Sequence, residues 1–273
     1  MRAIDMHCHF GSWGGDRNPE DTPERTLELL ARHGVDGALI APLAGLFSSC
    51  VDHRPENDEI FRYCGSAPNR LFAAFAVNPL MGKTALNEIR RCKEEHSARV
   101  LKLHPWLQGF SVTSPEMDAV AVLCQELGIA ILFHDGTPPY TNPLQIARVS
   151  RDFPALTVIA GHAGLGDLWR EAMLAAQRYR NFILCLCGPR EAAMREIVDS
   201  VPPDQICVGS DFFVSDKDDA VIWFRWASFR SVEMSAETRR MIEVETPLRM
   251  VDGGAGTGGS SLITHHSSRR LRV

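Results

Sequence analysis

The sequence predicts an α/β fold, a (β/α)8 barrel, and three observations lead to this prediction. Eight short apolar runs alternate with helix-favouring segments over residues 1–251. Such runs are typical of strands buried on both faces, as in parallel sheets. Several of them end in histidine or aspartate, at the strand ends where barrel enzymes carry their catalytic residues. The 273 residues also suffice for one barrel, which needs about 250.

The strands are predicted at residues 3–6, 37–41, 71–77, 100–103, 129–133, 157–160, 182–186 and 205–208. Helices are predicted at residues 23–33, 57–64, 84–96, 115–127, 144–151, 167–178, 190–198, 218–230 and 236–245. Thr22 and Ser114 each precede a Pro-Glu pair, so both are expected to be N-caps. An open doubly wound sheet is the competing fold, but it would place a glycine-rich phosphate loop at residues 7–9, which are His-Cys-His.

Composition narrows the class of protein. The net charge of −5 is mild and argues against a nucleic-acid surface. No apolar stretch approaches the ~20 residues of a membrane span, and no apolar leader precedes the first strand, so a cytoplasmic protein is expected. The eight cysteines form no CxxC pair and are expected to be free thiols; Cys185 and Cys187 are assigned no chemistry. We expect a small-molecule partner, no nucleic acid and no membrane, and a homo-oligomer is left open.

The end of the chain differs from the rest. Residues 253–261 are almost all Gly, Ser, Thr or Ala, and an arginine-rich stretch follows. Such a segment buries too little apolar surface to order itself. We therefore predict a single barrel domain over residues 1–251 and a disordered tail over residues 252–273.

Five polar residues at predicted strand ends indicate a metal site. His7 and His9 are two apart, so both rings leave the same face of the first strand. His134 and His162 leave dry strands into loops, where an unpaired histidine is costly. Asp211 would be a buried, unpaired charge without a cation beside it. Histidine and aspartate are common ligands of zinc and similar divalent ions, and Asp211 is also a candidate proton acceptor.

The fourth strand carries two further candidates. Lys102 and His104 share one face, and we predict that both bind substrate. Three roles are open for Lys102: to anchor a substrate anion, to be carbamylated and bridge two metals, or to extend to solvent at the barrel mouth. Three roles are also open for His104: to contact the substrate, to support the site, or to act as a cap before Pro105. Asp5 precedes His7 on the same predicted face, as an acceptor for a ligand or as an anchor of the strand end.

The motifs together resemble a known family. They are Ile4-Asp5-Met6-His7-Cys8-His9, Lys102-Leu103-His104-Pro105, Phe133-His134-Asp135-Gly136, Ala160-Gly161-His162-Ala163-Gly164 and Gly209-Ser210-Asp211-Phe212. This combination resembles the amidohydrolase superfamily and, within it, the amidohydrolase-related branch, also called amidohydrolase 2. The likeness runs from residue 3 to about residue 251. Thr246 stands where the family carries an asparagine.

The resemblance implies a distorted TIM barrel that holds a divalent metal ion. It assigns the metal ligands to His7, His9, His134 and Asp211, and it places His162 beside the metal to polarise substrate or move protons. Lys102 occupies the strand where binuclear relatives carry a bridging carbamylated lysine. We expect one ion, with zinc favoured.

Within this family, hydrolysis is the favoured reaction. The substrate would be a small polar or anionic amide, lactone or ester, attacked by a metal-activated water. Asp211 would accept the proton, and His162 would hold the developing oxyanion. A metal-dependent nonoxidative decarboxylase or hydratase of an aromatic-derived carboxylic acid is the alternative. An inactive metal-binding scaffold is the alternative of another class, against which the complete ligand set argues.

Two loops are expected to face the substrate. Residues 11–21 carry Trp13 and Arg17, and residues 43–54 carry His53 and Arg54. These side chains suggest a polar or anionic small molecule.

Overall fold

A closed, parallel barrel is built from the predicted strands. The computed structural model describes residues 3–11, 21–214 and 219–252. Its strands are β1 (Ile4–Phe10), β2 (Gly37–Pro42), β3 (Leu71–Ala76), β4 (Val100–Leu103), β5 (Ala130–Phe133), β6 (Val158–Ala160), β7 (Phe182–Cys185), β8 (Ile206–Cys207) and β9 (Phe212–Phe213). They form one sheet in the order β8-β7-β6-β5-β4-β3-β2-β1-β9. The predicted (β/α)8 barrel is confirmed.

The eighth strand is interrupted where the barrel closes. β8 pairs with β7, whereas β9 pairs with β1. Between them the chain stays attached to β1, because Met6 N–H donates to the Val208 carbonyl and Asp211 N–H donates to the His7 carbonyl, both at 2.8 Å. Asp211 has a left-handed φ of 65°, a conformation that aspartate tolerates better than most residues. The interruption places the Asp211 carboxylate beside the end of β1.

Helices surround the barrel. They are α1 (Pro23–Arg32), α2 (Arg54–Gly65), α3 (Lys83–His96), α4 (Pro105–Gln108), α5 (Pro115–Leu127), α6 (Pro143–Asp152), α7 (Trp169–Arg178), α8 (Glu191–Ser200), α9 (Ala220–Arg230), α10 (Ala236–Arg240) and α11 (Thr246–Val251). Both predicted N-caps are confirmed: Thr22 Oγ1 accepts from Arg25 N at 3.2 Å, and Ser114 Oγ accepts from Met117 N at 3.3 Å. The helix predicted at 236–245 is α10 followed by a π-helical turn, Met241–Glu245.

The barrel interior is apolar at one end and polar at the other. Ile4, Met6 and Leu132 belong to an inner core that Met250 and Val251 of α11 cover. Burial of such side chains contributes roughly 1.5–3 kcal/mol each. The opposite end, where the strands have their carboxyl termini, holds the histidines. The Thr246 hydroxyl donates to the Pro203 carbonyl at 3.2 Å, so this departure from the family pattern serves α11 and not the histidine end.

An irregularity in β1 reverses the expected alternation of its side chains. The pairing with β2 shifts between Asp5 and Cys8, which inserts one extra residue. Such a bulge turns the following side chains to the other face. Asp5 therefore does not share a face with His7, as the sequence interpretation assumed: its Oδ2 accepts from Trp226 Nε1 of α9 at 2.9 Å. Its Oδ1 accepts from the backbone N–H groups of His7 and Ser210, so Asp5 anchors the strand end.

The structure also bears on the expectations for the cysteines and for a membrane span. All eight cysteines are free, and Cys50 alone among them is not fully buried. Among the described helices, none is long and apolar enough to cross a membrane. The predicted tail, apart from Asp252, lies outside the described residues, as do Trp13 and Arg17, so these remain predictions.

Candidate metal centre and active site

Three predicted metal ligands converge at the carboxyl end of the barrel. His7 Nε2 and His9 Nε2 are 3.2 Å apart. Asp211 Oδ1 lies 3.5 Å from His7 Nε2 and 3.2 Å from His9 Nε2. Both histidines are buried, and Asp211 is partly exposed. Two strands that are adjacent through barrel closure, β1 and the interrupted eighth, supply all three groups.

The orientation of His7 is set by β6. His7 Nδ1 donates to the Gly161 carbonyl at 2.8 Å, so Nε2 carries the lone pair that faces His9 and Asp211. A Cβ on Gly161 would lie 2.5 Å from the Phe133 carbonyl oxygen and 3.0 Å from His7 Cε1. Glycine is therefore required at 161, which explains the first glycine of the Ala-Gly-His-Ala-Gly motif.

The three groups fit a divalent metal ion. Metal–ligand bonds of about 2.1 Å separate neighbouring ligand atoms by roughly 3.0–3.4 Å in octahedral or tetrahedral geometry. The observed separations are 3.2, 3.2 and 3.5 Å. Two imidazole nitrogens and a carboxylate oxygen this close together, in a largely buried site, require a cation or shared protons between them. His7, His9 and Asp211 would therefore hold the ion.

His134, the fourth predicted ligand, lies next to this group but is engaged elsewhere. Its Nδ1 is 2.9 Å from His162 Nε2, and its Nε2 is 2.7 Å from Thr137 Oγ1. Its ring stacks on His104, with centroids 3.8 Å apart and planes at 10°. Within the described residues, His134 is in neither group of converging metal-ligand atoms. Its role as a metal ligand remains a prediction.

His162 is held in place by an aspartate that the sequence interpretation did not include. Asp135 Oδ1 accepts from His162 N at 2.5 Å, and Asp135 Oδ2 accepts from Gly164 N at 2.6 Å. Burial raises the pKa of Asp135 to about 6. The His162 ring reaches the metal group, with its centroid 4.7 Å from that of His7. In the sequence, Asp135 could have been recognised as a site residue by its position directly after His134, where the strand ends and the loop begins.

Lys102 belongs to the centre of the site. Its Nζ donates to His7 Nε2 at 2.8 Å, and the residue is 0% exposed. Extension to solvent at the barrel mouth, one of the three sequence interpretations, is therefore wrong. Burial lowers the pKa of Lys102 to about 8. A buried lysine of this kind can take up and release a proton near neutral pH.

His104 begins α4, a short helix that the sequence analysis did not predict. Its Nδ1 accepts from Leu107 N at 3.4 Å, and its backbone N–H donates to Gln108 Oε1 at 2.8 Å. The capping alternative is therefore confirmed for His104. Because its ring stacks on His134, it also lines the site.

The site keeps its histidines neutral. Burial, followed by the charge of Lys102, lowers the pKa of His7 and lowers that of His104 to about 2. Burial also lowers the pKa of His162 to about 4. For Asp211, burial acts to raise the pKa, but the hydrogen bond from His9, together with the charge that His162 and His7 carry when they are protonated, outweighs it and holds the pKa well below its ordinary value. At neutral pH the site thus offers imidazole lone pairs and a carboxylate.

Cys187 is a further site residue without an assigned role in the sequence analysis. Its Sγ and ring nitrogens of His7 and His162 all lie within 4.8 Å of one another. Burial raises the pKa of its thiol. In the sequence, Cys187 could have been recognised by its position just past β7, because the other site residues also lie at or just past the ends of their strands.

The two substrate-loop candidates among the described residues, His53 and Arg54, differ in their exposure to solvent. His53 is buried, and its Nε2 donates to the Gly45 carbonyl at 3.1 Å, so His53 supports the loop before α2. Arg54 is exposed at the start of α2.

The fold and these converging groups define a metal-dependent enzyme built on a TIM barrel. The sequence matches the Amidohydro_2 family, described as Amidohydrolase, over residues 4–253, and the chain belongs to this family of the amidohydrolase superfamily. The resemblance inferred from the motifs is thereby confirmed. No curated protein sequence matches the chain.

Solved structures with the same fold include several decarboxylases. The 5-carboxyvanillate decarboxylase of Sphingomonas paucimobilis has a TM-score of 0.73 and 14% identity, covering 92% of this chain and 99% of that one. The 2,6-dihydroxybenzoate decarboxylase from Rhizobium has a TM-score of 0.70 and 16% identity, with 92% and 98% covered. A dihydroxybenzoic acid decarboxylase from Polaromonas sp. JS666, with bound manganese, has a TM-score of 0.69 and 17% identity, with 92% and 97% covered. At these identities the likeness shows the fold.

Proposed function

We propose that the protein is a metal-dependent, nonoxidative decarboxylase of a small aromatic carboxylic acid. The observation that carries this proposal is the buried Lys102, whose Nζ lies 2.8 Å from His7 Nε2 and whose pKa burial lowers to about 8. Decarboxylation needs a proton donor at the reacting carbon and a cationic pocket for the carboxylate. Lys102 has the chemistry for both.

The alternative function, hydrolysis, needs a proton acceptor beside the candidate metal ligands. Asp211 would have that role, but a carboxylate that lies 3.2 Å from His9 Nε2 and 3.5 Å from His7 Nε2 would be held as a ligand of the ion, which makes it a weak base. His162, with a pKa lowered to about 4 by burial, is also a weak base at neutral pH. General bases work best when their pKa lies near the operating pH. The decarboxylase alternative therefore replaces hydrolysis as the favoured function, and the decarboxylases of the same fold support this order.

His7, His9 and Asp211 would hold the ion, with His134 proposed as a fourth ligand. A bound divalent ion supplies Lewis-acid attraction for the substrate carboxylate and a neighbouring oxygen. Zinc remains the sequence-based proposal, whereas three structures with the same fold carry manganese. One carboxylate and two imidazoles accept either metal.

Side chains of the site would bind the substrate and transfer the proton. Lys102 would bind the anionic substrate and deliver a proton from Nζ to the ring carbon as the carbon–carboxylate bond breaks and CO2 departs. His162, fixed by Asp135, would orient a ring oxygen of the substrate. His104 and His134 stack on each other and would form a flat wall against which an aromatic ring packs.

The test is CO2 release from a panel of hydroxylated aromatic acids, with lactones and amides in parallel. Lys102→Met keeps the length and removes the proton, so decarboxylation should fall by the ~10²–10⁴-fold typical of acid–base roles. Lys83→Met, at an exposed lysine, is the matched control and should keep wild-type turnover. Hydrolysis of lactones or amides without CO2 release from any acid would reject the proposal, as would full activity in Lys102→Met.

A further inference from the structure

Cys187 is presented to the metal group by a tight approach between two loops. Directly after β7 the chain turns, with Cys187 N donating to the Cys185 carbonyl at 2.7 Å. A Cβ on Gly188 would lie 2.4 Å from the His162 carbonyl oxygen and 2.6 Å from Leu165 Cα. Arg225 Nη1 donates to the Gly188 carbonyl at 3.3 Å and holds the turn from the other side. The absence of a side chain at Gly188 thus allows Cys187 to lie beside His162.

The described residues contain two groups of converging metal-ligand atoms, and His7 belongs to both. One is His7, His9 and Asp211; the other is His7, His162 and Cys187, with all ligand atoms within 4.8 Å of one another in each set. His7 Nδ1 is engaged with the Gly161 carbonyl. This leaves Nε2 of His7, which accepts from Lys102 Nζ in this structure, as the nitrogen that an ion could reach in place of that contact, and it can bind one ion at a time. The two sets are alternatives for a single ion.

The donor atoms of the two sets differ in softness. The first contains two nitrogens and a carboxylate oxygen, which suit manganese, and the second contains two nitrogens and a sulfur, which suit zinc, cobalt or cadmium. Cys187 is 1% exposed, so its sulfur is shielded from solvent oxidants and other thiols. On binding, the thiol releases its proton to solvent and forms the metal–sulfur bond.

We propose that His7, His162 and Cys187 form a second, sulfur-containing position that a thiophilic ion occupies in preference to the position at Asp211. Occupation of this position withdraws His162 from substrate and leaves Asp211 without its ion. The enzyme is then active when its ion lies at the Asp211 position and is inhibited when a strongly thiophilic ion such as cadmium takes the other position. The proposal rests on the metal site assigned above, but its test does not depend on turnover.

The experiment uses cobalt(II) as a spectroscopic probe in the full chain. A Cys50→Ala background removes the one cysteine that is not fully buried. This protein should show a near-ultraviolet thiolate-to-cobalt charge-transfer band, which Cys187→Ser should lack. The matched control, Cys124→Ser, changes another buried cysteine and should keep the band.

Affinity gives a second measurement. Cys187→Ser should weaken cadmium binding by more than the ~10–100-fold typical of losing a supporting residue, while manganese affinity stays within about twofold. If Cys187→Ser does not fold, Cys187→Ala replaces it, and the band in the Cys50→Ala protein is measured regardless. A missing band in that protein, or an unchanged band in the Cys187 variants, would overturn the proposal. Equal losses of cadmium and manganese affinity would also overturn it.

Discussion

Asp135 spans the two backbone N–H groups on either side of Ala163, accepting from His162 N at 2.5 Å and from Gly164 N at 2.6 Å. The loop it holds is unusual, since Ala163 and Leu165 have left-handed φ values of 45° and 57°. Non-glycine residues in this region cost of order 1–3 kcal/mol each and persist only where the surroundings fix them. The Asp135 carboxylate provides part of that constraint and thereby positions His162.

We expect Asp135→Asn to destabilise the protein and to reduce turnover. The amide can accept one N–H, but its NH2 group then faces the other, which leaves a buried donor unpaired at a cost of about 1–3 kcal/mol. Urea unfolding and steady-state kinetics measure both effects. Asp199→Asn, at an exposed position, is the control. Wild-type stability in Asp135→Asn would show that the loop does not depend on this carboxylate.

Removal of individual histidines tests the metal ligands. His7→Ala should abolish tight metal binding, because His7 supplies a nitrogen to both converging sets. His134→Ala should also lower the bound metal if it is the fourth ligand. Metal content after dialysis, measured by mass spectrometry, gives the answer, with His96→Ala on α3 as the control. Full occupancy in His134→Ala beside an empty His7→Ala would restrict the ligands to His7, His9 and Asp211.

Gly161→Ala tests the positioning of His7. The added Cβ would meet the Phe133 carbonyl oxygen at 2.5 Å and His7 Cε1 at 3.0 Å. Overpacking of this kind typically costs about 1–3 kcal/mol, and here it would also displace the imidazole. Weaker metal binding and a lower unfolding free energy are expected together. Gly166→Ala, where a Cβ meets nothing within 4 Å, should change neither; metal affinity unchanged in Gly161→Ala would argue against this role.

The metal-free protein should lose stability as the pH falls. Burial lowers the pKa of His162 from 6.5 to about 4, so the unfolded chain binds more protons between these values. The stabilisation is therefore fully present above pH 6.5 and is lost as the pH falls toward the folded pKa, at about 1.4 kcal/mol per pKa unit.

Urea unfolding in chelator at several pH values measures this dependence. His162→Gln should reduce the slope, whereas His96→Gln, at an exposed histidine, should leave it unchanged. A slope of the opposite sign, or one that is identical in His162→Gln, would show that His162 is not buried in its neutral form.

The barrel could be predicted from the sequence alone, and so could the three candidate ligands that converge, His7, His9 and Asp211. The apolar runs specify strands because buried parallel strands need apolar side chains on both faces. The two-residue spacing of His7 and His9 places both rings on one face wherever the strand lies, and the family match follows from the same motifs. These properties depend on local pattern and are independent of how distant strands align.

The contacts between strands could not be predicted from the sequence, because they depend on how the barrel folds. The extra residue in β1 separates Asp5 from His7, a change that depends on pairing with β2. The contacts of Lys102 with His7 and of Asp135 with His162 join different strands, and their existence depends on barrel register. Cys187 reaches His162 because Gly188 allows two loops to touch. Such contacts arise from closure of the barrel, which brings together residues whose separation in sequence carries no information about distance.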